Sequence, residues 1–501
     1  MQVHLSVILW LPAVAGVLCL FMPKREAPWL LVAGTLLTLA YSVLALARFK
    51  SGQIGLQFVT DKNWISELGI RYSLGVDGLN LFLIVLTAVL WLAAALAIAL
   101  REWDKPRQLA MWMGLGETAV LGAFMAQDLA LFVVFFDLML IPFYFLIGIW
   151  GGDNRVYATT KMVIYTLVGS LLMLAAAVAL GVMATPDGGH ISFSLATLQD
   201  HPLSNGSQNW IFLLFALAFL VKAPAFPLHG WMPDAYREAP IPAILLFSAV
   251  VSKVGVYGFL RIVLPVMPHA SVHYQEFMLV VAVVSILYGS ALAFSQDDAR
   301  LVVGYSSIAQ LGFILLGIFS LDPKGAQGAI IQMVNHGLVV GPLFLIIGYL
   351  ALRAGGSDNL KDMGGMALRA PVLAGLFLIV ALATLAMPGS SNFVGELLIL
   401  FGTFQTKIVY GLLASAGVVL AAVYMIRFYQ RSMHNRLGAN AESRDLALGP
   451  ELSVLAPLVL VILALGIYPN FILHRTQNGT ITSLTEVKAT QGQSAELSVF
   501  K

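Results

Sequence analysis

Five titratable side chains stand inside otherwise apolar runs. They are Asp137 in LFVVFFDLMLIPFYF, Lys222 in FALAFLVKAPAF, Lys253 in SAVVSKVGVYGFL, His336 in IQMVNHGLVVGPLF and Glu396 in SNFVGELLILFG. A charged group at the centre of a membrane helix costs roughly 3 kcal/mol on insertion scales, so each is a functional candidate. In chain order they read acid, lysine, lysine, histidine, acid. Groups of these types can pass a proton along when hydrogen bonds or waters join them, and a lysine can take part when a neighbouring charge tunes it. A lone core histidine is commonly just a satisfied structural residue, and Lys222 alone could snorkel to an interface; the set of five exceeds what a structural bundle needs. Asp137 and Lys222 are natural ion-pair partners. Gln310, with Tyr305 and Ser306 in YSSIAQLGF, Asn335 beside His336, and His229 in PLHGW are the supporting polar residues.

Composition says where this chemistry takes place. The 501 residues are 59% hydrophobic and 11% charged, whereas soluble domains carry about 25% charged residues. A formal net charge of +2 gives no sign of a nucleic-acid partner. Cys19 is the only cysteine, which excludes disulfides, CxxC redox pairs, thiolate iron–sulfur sites and c-type haem attachment within the chain. GLGETA (114–119) fits a loose dinucleotide pattern but opens no strand–helix unit. His269 and His273 have i,i+4 spacing but sit in a proline-bearing loop, so no metal site is expected. Asp77 is expected to cap the third helix, and Asp297, Asp298 and Arg300 to form a solvated cluster. Glu117 is ambiguous, as an extra relay group or a residue at a polar interface.

A spanning helix needs about 20 apolar residues. Runs of that kind lie at 4–21, 28–48, 78–100, 109–126, 129–150, 157–183, 210–226, 241–264, 276–295, 302–320, 326–352, 371–402, 408–427 and 452–469. They predict fourteen helices in a single all-α, polytopic membrane domain, 1–501. Continuous rather than alternating apolarity excludes a β-barrel, and the first run, lacking a small-residue cleavage site after it, is expected to be retained. Lys and Arg gather in the loops that follow odd-numbered helices, from Lys24 and Arg25 to Arg436 and Arg444. Those loops should be cytoplasmic and both termini external. The polar tail, 468–501, is expected to be weakly ordered.

Two of these helices are interrupted. In 209–242, Pro224 and Pro227 follow Lys222; in 371–402, MPGSSN (387–392) precedes Glu396. The breaks lie in helices 7 and 12, five helices apart, so the two segments run in opposite directions. That offset predicts inverted repeats, helices 4–8 (109–264) and 9–13 (276–427), preceded by helices 1–3 (1–108) and followed by a C-terminal helix and tail (452–501). Broken helices of inverted repeats usually mark ion sites near the midplane.

KAPAFPLHGWMPDAYREAP (222–240), YSSIAQLGF (305–313), QMVNHGL (332–338) and MPGSSNFVGELLILFG (387–402) resemble the antiporter-like subunits of the proton-pumping NADH:quinone oxidoreductase, respiratory complex I. Glu396 in NFVGE, rather than lysine, is similar to the M type and not to the L or N types. The resemblance covers helices 3 to 14. It implies a non-redox subunit of a proton-translocating enzyme in the bacterial inner membrane, with one proton channel and with no cofactor in this chain. Quinone would be bound by other subunits, and L- and N-type subunits would be among its partners. By position, Asp137 and Lys222 would form the input pair, Lys253 the central relay, His336 part of the connecting axis and Glu396 the outlet group. Asp137 stands where the family usually has Glu, and Gln310 where many relatives have His; an amide cannot carry a proton at neutral pH, so water should pass it by. A subunit of a multisubunit cation/proton antiporter, or of an energy-converting hydrogenase-type complex, is the alternative.

Overall fold

The computed structural model describes residues 3–185, 190–438, 445–446 and 449–492; Arg444 lies outside them. The apolar runs become helices because lipid offers the backbone no hydrogen-bond partners, leaving each segment to satisfy its own. Ten helices among the described residues are long and apolar enough to span. The other four expected positions are occupied by Leu5–Cys19, Pro106–Met125, Asn205–Lys222 and the pair Pro371–Thr384 and Ser391–Thr406. Helix 8 (Ile241–Val266), helix 10 (Ala299–Phe319) and helix 11 (Pro323–Arg353) form the interior, and the apolar windows of helices 8 and 11 are wholly buried. Helices 2, 6, 13 and 14 turn Leu36, Leu171, Leu412 and Leu460 outward, as a lipid-facing layer can at no cost.

The neighbour pairs 4·5, 5·6, 6·7, 7·8 and 4·8 all pack together, and so do their counterparts 9·10, 10·11, 11·12, 12·13 and 9·13. Both expected breaks are present. Helix 7 stops at Lys222 and resumes as Met232–Glu238, and helix 12 stops at Thr384 and resumes at Ser391. A third interruption divides helix 5 into Leu129–Leu138 and Leu140–Trp150. Pro142 explains it, because a proline cannot donate to the carbonyl four residues before it. Helix 8 carries two π-helical stretches, Phe247–Val251 and Phe259–Val263, on either side of Ser252–Gly258.

Two segments differ from expectation. The loop between helices 2 and 3 folds as an antiparallel hairpin, Gln57–Ile65 with Ile70–Val76, turned at Gly69 with φ +66°. The tail is not weakly ordered through its described part, since Asn470–Thr490 is a helix packed against helix 11. Its buried residues are Ile472, Leu473, Thr476, Gly479, Thr480, Ser483, Leu484, Val487 and Lys488, with small residues through the middle of the face. Small residues at helical spacing bury by close backbone approach and leave little hydrophobic signal.

Candidate functional site

Lys222 is the last residue of the first half of helix 7, and the chain beyond it is held by specific bonds. The Trp231 indole N–H donates to the Val221 carbonyl (3.0 Å), and the Phe226 N–H donates to the Ser285 hydroxyl on helix 9 (3.0 Å). These replace the helical bonds that Pro224 and Pro227 remove. Lys222 is 3% exposed. Its ammonium donates to the Phe136 carbonyl at 3.4 Å and lies 4.7 Å from the centroid of the Phe136 ring.

Asp137 follows Phe136 directly, at the interruption of helix 5, yet no direct Asp137–Lys222 ion pair forms. One Asp137 oxygen has no hydrogen-bond partner, and the carboxyl has Ser170 of helix 6 as its side-chain neighbour. The short Asp side chain and the pull of the Phe136 carbonyl and ring on Lys222 account for the open geometry.

Lys253 is fully buried between the π-helical stretches. It donates to the Ser248 carbonyl (2.6 Å), while the Ser248 hydroxyl bonds that of Ser307 on helix 10 (3.0 Å). Two glycines bring the neighbouring backbones close to it. A Cβ on Gly255 would lie 2.6 Å from the Phe219 carbonyl oxygen of helix 7, and one on Gly337 would lie 2.8 Å from the Ala249 carbonyl oxygen. Lys222, Lys253 and His336 therefore sit on backbones in contact.

At helix 12 the order is reversed: the break comes first and the acid follows it. Glu396 accepts from Gln310 (2.7 Å), and Gln310 accepts from Gln332 (2.7 Å). Asn335 donates to the Ser391 carbonyl (2.5 Å) at the restart of helix 12. Gln310 is therefore bonded directly to Glu396. Ser306 bonds the Tyr424 hydroxyl of helix 13 (3.0 Å). His229 packs its ring 5.2 Å from Tyr288 and 6.4 Å from Tyr305, beside the break of helix 7.

Sequence reasoning missed Gln332, Asn392 and Tyr424. Gln332 is four residues before His336 and Asn392 four before Glu396, so helical spacing from the named residues would have found both. Asp77 does not cap helix 3, whose N-cap is Asn80; it accepts from the Leu79 N–H and pairs with Arg261 (2.6 Å) at the end of helix 8. Glu117 is fully buried with both oxygens unpartnered. Of the expected solvated cluster, Asp297 lies at the surface, paired with Arg431, whereas Asp298 caps helix 10 and the Arg300 side chain, paired with Asp358, is largely buried. The donor set of the file is amides, hydroxyls, carboxyls, lysines and one imidazole, which suits protons better than a transition metal.

Residues 126–422 match the family model described as NADH:quinone oxidoreductase/Mrp antiporter, TM. The chain is 36% identical over 487 residues to the NADH-quinone oxidoreductase subunit M of Rhodobacter capsulatus, covering 94% of each. It is similar to a chain of respiratory complex I from Thermus thermophilus, with a TM-score of 0.87 and 32% identity, covering 96% of this chain and 99% of that one. A chain of the Mrp complex from Dietzia shares the fold, with a TM-score of 0.84 at 22% identity over 98% and 99% of the two chains.

Proposed function

This chain belongs to the NADH:quinone oxidoreductase/Mrp antiporter family, and from that premise we propose that it carries protons along Asp137, Lys222, Lys253, His336 and Glu396. It is an antiporter-like, M-type membrane subunit of NADH-quinone oxidoreductase, working beside the other membrane subunits of that complex. It takes no part in the redox chemistry. NADH and quinone are bound by other subunits, L- and N-type subunits are among its neighbours, and this chain holds no cofactor of its own. The basic odd-numbered loops face the cytoplasm and both termini face outward.

The step at the input is electrostatic. In the state described, Lys222 rests on the Phe136 carbonyl, one residue from Asp137. A charge change in a neighbouring subunit draws Lys222 towards Asp137 or away from it. Each position sets how readily Lys222 gives up its proton, which passes to Lys253 and then by way of His336 to Glu396. The observation that carries this reading is the meeting of both broken helices with one buried polar file, Lys222 at the first break and Glu396, bonded by Gln310, after the second.

The experiment is NADH-driven proton uptake by inverted membrane vesicles, with subunit content measured in the same membranes. Lys222→Ala is expected to abolish most proton uptake while the complex still assembles. Normal uptake per NADH oxidised would overturn the reading.

A further inference from the structure

Lys222 meets helix 5 on a surface that carries no charge. Its ammonium lies 4.7 Å from the centroid of the Phe136 ring and donates to the Phe136 carbonyl at 3.4 Å. Asp137, the next residue, keeps one carboxyl oxygen without a hydrogen-bond partner. A charge-assisted bond to a carboxylate is the stronger of the two choices, yet the ring and the carbonyl hold the lysine. The ring is itself held in place. Phe136 packs against Phe132 (5.8 Å between centroids) and Phe219 (5.9 Å), and Phe132 meets Phe219 edge-on at 6.1 Å. All three are 2% exposed or less. Phe132 lies one turn before Phe136 on helix 5, and Phe219 one turn before Lys222 on helix 7. The Phe136 face cannot swing away from the lysine without disturbing this triangle of rings.

The face of an aromatic ring is negative and attracts a cation most strongly where water is excluded. We infer that Phe136 is a positioning residue of the relay: its ring face and carbonyl form a second, uncharged seat for the Lys222 ammonium, in competition with Asp137. The inference rests on the proton-relay reading above and adds to it what holds Lys222 away from the acid. A buried lysine with only a carboxylate to bind would stay in one closed pair. A second seat of comparable strength gives it two positions, and a modest charge arriving from outside can then shift the population between them. Weakening the ring face leaves Lys222 with Asp137 in most molecules, and each transfer onward to Lys253 must first break that pair.

The test incorporates phenylalanines carrying one, two and three ring fluorines at position 136 of the assembled complex in vesicles. Fluorine draws charge out of the ring face and changes its size little, so a purely packing role predicts equal behaviour. Proton uptake per NADH is expected to fall stepwise along the series, reaching about fivefold below native with three fluorines, the effect of losing a desolvated cation–π contact. Equal uptake across the series overturns the inference. Should the fluorinated chains fail to assemble, Phe136→Leu is expected to lower uptake at normal subunit content, and Phe136→Tyr, which keeps the ring face, to restore most of it. Equal uptake in these two variants overturns the inference. Lys222→Ala run in parallel separates the two levels. Normal uptake with Lys222→Ala removes the relay itself; lost uptake with Lys222→Ala beside a flat fluorine series removes only the second seat.

Discussion

Gln310 donates its side-chain N–H to Glu396 Oε1 at 2.7 Å and accepts one from Gln332 at 2.7 Å. Gln310, which cannot itself carry a proton, is therefore a clamp on Glu396. Both partners are buried, so the amide orientation is fixed by its neighbours.

The clamp predicts a specific pattern at position 310. Gln310→Leu leaves a buried carboxyl and a buried amide without partners, a loss of about 1–3 kcal/mol for each unsatisfied group. The complex is expected to show a lower Tm and weakened proton uptake. Gln310→His, which can still donate to Glu396, is expected to retain assembly and most uptake. Thermal melts of purified complex and vesicle uptake assays check the two together.

The open Asp137–Lys222 geometry makes the length of the acid a variable. Asp137→Glu adds one methylene and should bring the carboxyl within reach of Lys222, with uptake near the native level. Asp137→Asn keeps the shape but removes the charge, and is expected to lower uptake about tenfold or more, the effect of losing on the order of 1.4 kcal/mol at the transition state. Uptake that is the same in Asp137→Asn and the native complex would remove Asp137 from the relay.

At the C-terminal end of helix 8, Arg261 donates to both Asp77 oxygens (2.6 and 2.7 Å) and to the Tyr257 hydroxyl (2.8 Å). Breaking a buried pair by removing one partner costs about 3–5 kcal/mol. Arg261→Leu and Asp77→Leu should each reduce subunit content in the membrane sharply. The double variant should recover part of it, because no buried charge is then left alone. Quantitative immunoblots of the three variants against native membranes measure this.

The contact of helices 8 and 11 predicts intolerance at Gly337. A Cβ there would lie 2.8 Å from the Ala249 carbonyl oxygen and 2.7 Å from Leu86 Cδ2. Leu86 can turn aside, but the carbonyl cannot. Overpacking of this kind costs about 1–3 kcal/mol, and Gly337→Val is expected to lower the Tm and to separate His336 from Lys253, lowering proton uptake as well.

Asp297, outside the membrane segments, offers a pH test. The hydrogen bond from Arg431, and after it that from Lys361, holds its carboxyl below the usual carboxylate range. A carboxyl lowered by folding adds stability above its unfolded pKa, about 4. That stability fades as the pH falls through the lower folded value. Native complex and Asp297→Asn should therefore differ most in Tm at neutral pH and converge below about pH 4. Added salt should shrink the difference, because the pair is exposed.

Much of this protein was legible along the chain. Fourteen apolar runs, the prolines at 224 and 227, the MPGSSN insert and five misplaced titratable groups are one-dimensional facts. Lipid turns them into structure with few choices, because a long apolar run has no alternative to a helix in a medium without hydrogen-bond partners. The hairpin at Gln57–Ile65 and Ile70–Val76 and the helix Asn470–Thr490 were hidden, since neither has a continuous apolar run. Their stability comes from surfaces supplied by distant parts of the chain.

The partners of the buried groups were decided only by tertiary structure. Sequence placed Asp137 with Lys222 and made Gln310 a supporting residue that water should pass by; the folded chain rests Lys222 on the carbonyl of Phe136, next to Asp137, and binds Gln310 directly to Glu396. Sequence named Asn335 but not its bond to the Ser391 carbonyl, which depends on the break of helix 12 facing helix 11. The physical reason is the short range of a hydrogen bond. Hydropathy is an average over twenty residues and survives small errors in position, whereas a hydrogen bond exists or fails within a few tenths of an ångström, and only the packing of one helix on another sets distances that finely.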